Sequence, residues 1–280
     1  MLRSMYAGIS GMKNFQTKLD VIGNNIANVN TFGFKKGRTT FKDMVNQQIA
    51  GASAPGASIG GANPKQIGLG SQLSTIDTIH TQGSLQTTGR VLDLAISGDG
   101  FFMTGNKDSS GKIVNQRYTR NGNFYLDKNG EVVNSEGDFL VKAIPDPNDP
   151  FKAILFIPIT IPPTAKSFGI GSDGLISYVD SSGNIFKEGW VPLAKFTNPD
   201  GLQKSGSNSF VETANSGEPI YNYAGQGGAG TIVPGTLEMS NVDLSEEFTE
   251  MIVAQRGFQA NTRIITTSDE ILQELVNLKR

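Results

Sequence analysis

The chain has no cysteine and a single histidine, His80. Without thiols it has no disulfide, thiolate zinc site, iron–sulfur cluster or cysteine nucleophile. One histidine excludes His-rich metal sites and leaves any Ser-His-Asp arrangement resting on one ring. Charge is scarce and balanced: 24 Lys and Arg against 26 Asp and Glu give a net of −2, and charged residues make up only 18%. That balance argues against a protein that coats nucleic acid or lies on an acidic membrane. The most apolar run, residues 153–163 (AILFIPITIPP), is too short to span a bilayer and is broken by prolines. Residues 1–30 are interrupted by Lys13, Asn14, Lys18, Asp20 and Asn24, so no secretory signal peptide is expected.

Glycine is in excess. There are 34 in 280 residues, about 12% against the usual ~7%, which predicts many tight turns. The length suits one large core or two modest domains.

The first thirty residues read as one helix about 40 Å long. Leu2, Met5, Ile9, Met12, Phe15, Leu19, Ile22, Ile26 and Val29 recur every three or four positions, as in the seam of a coiled coil. The far end mirrors it. Leu244, Phe248, Met251, Ile252, Phe258, Ile264, Ile265, Ile271, Leu272, Leu275 and Leu278 keep helical spacing to the end of the chain. Ser240 or Asn241 is the expected N-cap, with Asp243, Glu246 and Glu247 suited to the positive end of the dipole. Neither helix can bury its stripe alone. By pattern they pair with each other or with copies from other subunits, and both options stand.

Residues 31–74 are polar, then Gly-rich and Pro-broken, and predict an extended or flexible connector. Within it Lys35, Lys36, Arg38 and Lys42 read as a solvated face. From Thr75 to about Leu237, short alternating runs separated by turn signals predict an all-β domain. Asn129-Gly130 marks a hairpin, and Ile154 to Ile161 an edge or terminal strand. The fold class is therefore mixed: a mainly-β central domain flanked by long N- and C-terminal α-helices.

No constellation for catalysis emerges. Gly225-x-Gly227-x-x-Gly230 matches a dinucleotide fingerprint but is followed by TIVPGTLE rather than a helix, and reads as a Gly loop. Asp127, Asn129 and Gly130 lack the spacing of a calcium loop, and Gly98-Asp99-Gly100 is a turn. His80 has no acid or serine partner at a recognisable spacing, and Trp190 is a core or interface anchor.

LDVIGNNIANVNTFGFK (Leu19 to Lys35) resembles the N-terminal signature of the bacterial flagellar rod and hook proteins. SNVDLSEEFTEMIVAQRGFQANTRIITTSDEILQEL (Ser240 to Leu275) is similar to the C-terminal signature of that family. GRVLDLAISGDGFF (Gly89 to Phe102) and YTRNGNFYLDKNGEVV (Tyr118 to Val133) resemble its β-domain core. The resemblance covers most of the chain in the right order. It implies a structural protein, not an enzyme, with no cofactor, metal or nucleic acid and no membrane insertion.

The expected organisation is a coiled-coil-like D0 domain from residues 1–30 and 240–280, a connector over 31–74, and a β-rich D1 domain over 75–239, with 145–200 as a sub-lobe. Subunits are expected to form a helical homopolymer, in which Met5, Ile9, Met12, Leu19, Ile22, Ile26 and Val29 pack with Phe248, Met251, Phe258, Ile265, Leu272 and Leu275, mainly between subunits. Asn24, Asn25, Asn28 and Asn30 supply polar contacts or turn chemistry. The other implied partners are further axial and junction proteins of the flagellum and its type III export apparatus. Export without a signal peptide places the chain in the hook or basal body, outside the cell. Phe41-Lys42-Asp43-Met44-Val45 fits a Phe-x-x-x-hydrophobic export-gate element, carried by Phe41 and Val45. The sequence leans toward a short hook protein, a flexible universal joint with Gly51–Gly70 as its compliant element; a rigid distal rod protein is the alternative, and would want that segment stiff. A secreted surface β-domain used as an adhesin is the reading of another class.

Overall fold

The computed structural model describes residues 2–56, 60–108, 111–145 and 153–278. Residues 57–59 of the Gly-rich stretch, 146–152 of the expected sub-lobe and the side chain of Leu2 lie outside the described part. The chain divides into two compact units, one of Met1–Ala27, Gly37–Ile79 and Asp243–Arg280, the other of Asn28–Lys36 and His80–Val242.

The first unit holds both long helices, α1 (Leu2–Ala27) and α2 (Leu244–Asn277). The cap of α2 is Asp243, not Ser240 or Asn241. Its carboxylate Oδ1 accepts from the Ser245 N–H at 2.8 Å and the Glu246 N–H at 3.4 Å, while Glu246 and Glu247 occupy the first turn, where negative charge is favoured.

Within the segment expected as an extended or flexible connector, two pairs of strands form a ribbon. Strand β1 (Gly37–Asp43) pairs antiparallel with β4 (Ser71–Thr78), and β2 (Asn46–Ala50) with β3 (Lys65–Gly68). Hydrogen bonds from Met44 N to Gly70 O and from Leu69 N to Val45 O, together with a bridge between Ser53 and Ala62, join the two pairs into one ladder. Glycine content misleads here, because the residues that pair, NQQIA and KQIG, are mostly not glycine.

Among the described residues the regular elements of the second unit are strands, with one 3-10 turn. It comprises β5 (Leu85–Thr87), β6 (Leu94–Ser97), β7 (Phe101–Lys107), β8 (Ile113–Thr119), β9 (Tyr125–Leu126) and β10 (Val132–Val133). Next come β11 (Phe139–Pro145), β12 (Ala153–Pro158), β13 (Ser167–Ile170), β14 (Leu175–Val179), β15 (Ile185–Trp190) and β16 (Leu193–Lys195). The last are β17 (Gln203–Gly206), β18 (Ser209–Val211), β19 (Ile220–Asn222), β20 (Thr231–Pro234) and β21 (Thr236–Glu238). The main sheet runs β13-β14-β15-β11-β7-β8-β18-β17, with β12 paired on β11 and β16 on β7. Strands β13 to β15 join this sheet through Ala143 and Trp190. The Asn129-Gly130 turn sits between β9 and β10, as its sequence predicts.

The run Phe101-Phe102-Met103 explains where the core lies. Successive side chains of a strand point to opposite faces, and here both faces are covered. Phe102, with Leu140 and Leu193, belongs to a cluster with Leu94, Ile96, Phe124, Ile176 and Ile232. Phe101 and Met103, with Val141 and Ala194, face a second cluster with Tyr118, Phe196 and Phe210. Strands buried on both sides read as continuous apolar runs rather than alternating ones.

Candidate assembly interface

Helices α1 and α2 pack antiparallel. Along the pair, Asn25 Nδ2 donates to Glu247 Oε2 at 3.1 Å, Lys18 Nζ meets Glu250 Oε2 at 3.0 Å, and Thr262 Oγ1 contacts Met12 Sδ at 3.3 Å. A Cβ on Gly257 would lie 2.5 Å from the Phe15 ring, and one on Gly11 would lie 2.7 Å from Asn261 Oδ1. Only hydrogen fits at these positions, and that absence of a side chain lets the helices approach closely.

The buried line of α1 is Gly8, Gly11, Asn14, Ile22 and Asn25, and that of α2 is Glu247, Ala254 and Ser268. Small and polar residues thus dominate the most buried positions. Hydrophobic periodicity misses them because it counts apolar residues only.

The residues expected in the seam divide into three groups. Ile22 is buried at 3% exposure. Met5, Met12, Leu19, Ile26, Val29, Met251, Phe258, Ile265 and Leu272 are half-buried. Ile9 at 47%, Phe248 at 50% and Leu275 at 50% are exposed, as are Ile252 at 59% and Val253 at 60%. Leu244, Phe248 and Ile252 follow one another at four-residue steps, so they share one face of α2. Together they leave a stripe of apolar surface exposed along the start of α2.

Asn25 holds a further position. Its amide donates to Gly37 O and accepts from Gly37 N, both at 2.9 Å, reproducing a strand's hydrogen bonds where β1 begins. The expected export residues lie on the ribbon. Phe41 is 37% exposed with its ring 6.4 Å from that of Phe15, and Val45 is 72% exposed.

The remaining candidates fall in the β unit. The Gly225–Gly230 loop joins β19 to β20 and closes on itself, Gly225 N to Gly230 O at 2.8 Å, with no helix after it. Trp190 is half-buried, its ring 5.5 Å from that of Tyr223. Among the described residues no three His, Asp or Glu side chains are grouped to hold a metal ion, and no helix is long and apolar enough to cross a membrane.

His80 lies between the rings of Phe101 at 5.6 Å and Phe210 at 5.4 Å, on a cavity of about 250 Å³ that Asp99, Arg120 and Lys195 also line. Burial, then the cations Lys35, Arg120 and Lys204, push its pKa down to about 4, against the pull of the Pro199 backbone. The folded chain therefore keeps this ring neutral where the unfolded chain, near pH 6.5, binds a proton. A depressed base contributes stability above the unfolded value and loses it as pH falls from about 6.5 to about 4, in total about 3 kcal/mol. Denaturant melts of wild type and His80→Phe across that range check this: the variant should lack this loss, and parallel pH profiles would refute it.

Three family descriptions match along the chain. Residues 5–35 match "Flagella basal body rod protein", 95–178 "Flagellar hook protein FlgE/F/G D1 domain", and 233–278 "Flagellar basal body rod FlgEFG protein C-terminal". The flagellar basal-body rod protein FlgG of Bacillus subtilis is 59% identical over 281 positions, covering all of both chains. The FlgG of Borreliella burgdorferi is 38% identical over 283 positions, again covering both chains in full. The hook protein FlgE of Borreliella burgdorferi is 33% identical, but the alignment takes 447 positions to cover both chains. The paired apolar-faced helices, the β unit between them and these full-length likenesses agree: the chain belongs to the flagellar rod and hook family of structural proteins.

Proposed function

We propose that this chain is a rod subunit of the bacterial flagellum, a rigid shaft element that polymerises into a tube through its terminal helices. The observation that carries polymerisation is the apolar face of α2, with Leu244, Phe248 and Ile252 at 39%, 50% and 59% exposure. Water disfavours that face, and copies of the same helix pair cover it at no further cost in sequence. A head-to-tail contact that does not close on itself yields a filament, so one chain suffices to build a tube. In the tube the close-packed α1–α2 pair acts as a single coiled-coil-like element, and further axial proteins of the flagellum are its neighbours at either end.

Two observations favour rod over hook, reversing the lean of the sequence. The FlgG relative at 59% identity has the length of this chain, whereas the aligned hook protein needs long insertions. The stretch Gly51–Gly70, assigned to compliance in a hook, is flanked and partly occupied by the paired ribbon. A hydrogen-bonded ladder resists bending where a free Gly-rich coil does not.

The chain reaches the rod through the flagellar type III export apparatus, which reads Phe41 and Val45 in the unfolded chain. Immunogold electron microscopy of isolated hook–basal bodies, with antibody against residues 80–242, tests the assignment. Label on the straight segment below the hook is expected. Label along the curved segment would make this a hook subunit, and no label on either would return the surface-domain reading.

A further inference from the structure

The four chain segments around the boundaries of the two units are 27–28, 36–37, 79–80 and 242–243. Beside the last three, inside the β unit, sits a group of charges that the sequence does not advertise. Lys35, read from sequence as part of a solvated face, has a fully buried side chain, as does Glu238. Their atoms Nζ and Oε1 are 2.5 Å apart, and Lys35 Nζ also donates to Thr81 O at 2.8 Å.

Glu238 collects the rest. Its Oε1 accepts from the Gly83 N–H at 3.0 Å, its Oε2 from Arg120 at 3.2 Å, and its backbone carbonyl from the Gly33 N–H at 2.8 Å. Lys36 N donates to Asn241 Oδ1 at 2.8 Å, and Asn241 Nδ2 donates to Thr81 Oγ1 at 2.9 Å. The segments touch so closely that a Cβ on Gly83 would lie 2.0 Å from Met239 O. Arg120, itself 4% exposed, is braced by Gly98 O at 2.9 Å and by the Phe101 ring.

We infer that the Lys35–Glu238 pair is a load-sharing clasp: it binds the segments at 33–36, 81–83 and 238–241 to one another, so that torque entering the β unit through any one backbone link is carried by all three. This rests on the reading of the chain as a subunit of a rotating shaft. The physical ground is cooperative. Three segments tied only by their own covalent chain peel one at a time under load, whereas segments sharing one buried carboxylate yield together. Yielding then exposes buried charges whose partners are held together by the clasp. Stability alone does not account for the arrangement, since two buried cations on one carboxylate leave a surplus positive charge.

That surplus makes Lys35→Met the informative variant: it balances the charge yet removes the tie. Ile176→Ala, in the other core cluster and fully buried, is the control that destabilises the β unit without touching the clasp. Hydrogen exchange on the purified full-length chain should show the Gly33, Lys36 and Gly83 amides opening roughly tenfold faster in Lys35→Met, with no such selective change in Ile176→Ala. Cells carrying Lys35→Met should build rods but lose rotation in viscous medium, while Ile176→Ala cells keep it. Unchanged exchange at those three amides, or equal loss of rotation in both variants, overturns the clasp. Failure of the rod reading shows separately, as absence of the chain from the straight segment of isolated basal bodies, and leaves the exchange result standing.

Discussion

Cells in which Phe248 and Ile252 are both replaced by aspartate are expected to build no rod beyond the point where this chain enters, and not to swim. The two side chains sit one turn apart on α2 at 50% and 59% exposure. Covering the half of each that is still exposed contributes about 1 kcal/mol, and each aspartate adds the cost of a carboxylate taken out of water without a partner. A combined loss of roughly 5 kcal/mol per contact weakens association several-thousand-fold, and the loss recurs at every subunit along the tube. The folded monomer is hardly touched, because exposed positions tolerate polar residues within about ±0.5 kcal/mol. The check is electron microscopy of basal bodies beside a thermal melt of the purified chain. Missing rods with an unshifted melt is the expected pair of results, and normal rods would refute the assembly face.

Secretion should fall roughly tenfold or more in the double variant Phe41→Ala, Val45→Ala, from the loss of two apolar anchors worth over 1.4 kcal/mol together. The structure supplies a clean control. Val45 is 72% exposed and its truncation costs the folded chain little, while Phe41 is 37% exposed against the Phe15 ring, so Val45→Ala alone separates recognition from stability. A drop in exported protein at constant cytoplasmic level therefore reports recognition of the unfolded chain, not misfolding. Immunoblots of medium and cell pellet measure it. Undiminished secretion would remove the export role of this element.

The ends of the molecule were the most legible part. Helical periodicity placed α1 and α2 within a few residues, because a stripe of apolar side chains every three or four positions has no other way to leave water. The partner of each stripe was not legible. The closest contacts are made by Gly11, Gly257, Asn25 and Asn261, residues whose value lies in what they lack or in a single hydrogen bond. Both are invisible to a count of apolar positions. The exposed apolar positions are likewise what remains after the helices have packed, and they include Phe248 and Leu275 from the expected seam while Ile22 goes inside.

The middle of the chain divides the same way. Turn residues such as Asn129-Gly130 announce a hairpin locally, and Phe101-Phe102-Met103 announces a strand. Which face of that strand meets which cluster depends on β8, β11 and β16 lying beside it, a matter of long-range pairing. The ribbon over 37–78 shows the limit most clearly. Small and glycine residues favour a flexible chain in isolation, but a ladder of antiparallel hydrogen bonds between residues 15 to 41 positions apart overrides that preference.

Sequence alone determined what kind of molecule this is: no redox or metal chemistry from thiols, two amphipathic ends, a β middle and a family signature spread across all three. Those properties are local, written in composition and spacing. Tertiary structure alone decided that Lys35 is buried rather than solvated, that His80 is held neutral, and that the Gly-rich segment is part of a paired ribbon. Each of these depends on what distant residues bring alongside, Glu238 for Lys35, the burying rings of Phe101 and Phe210 for His80 and Thr78 for Gly37. A charge's environment and a strand's partner are properties of the folded neighbourhood, and no single stretch of sequence contains them.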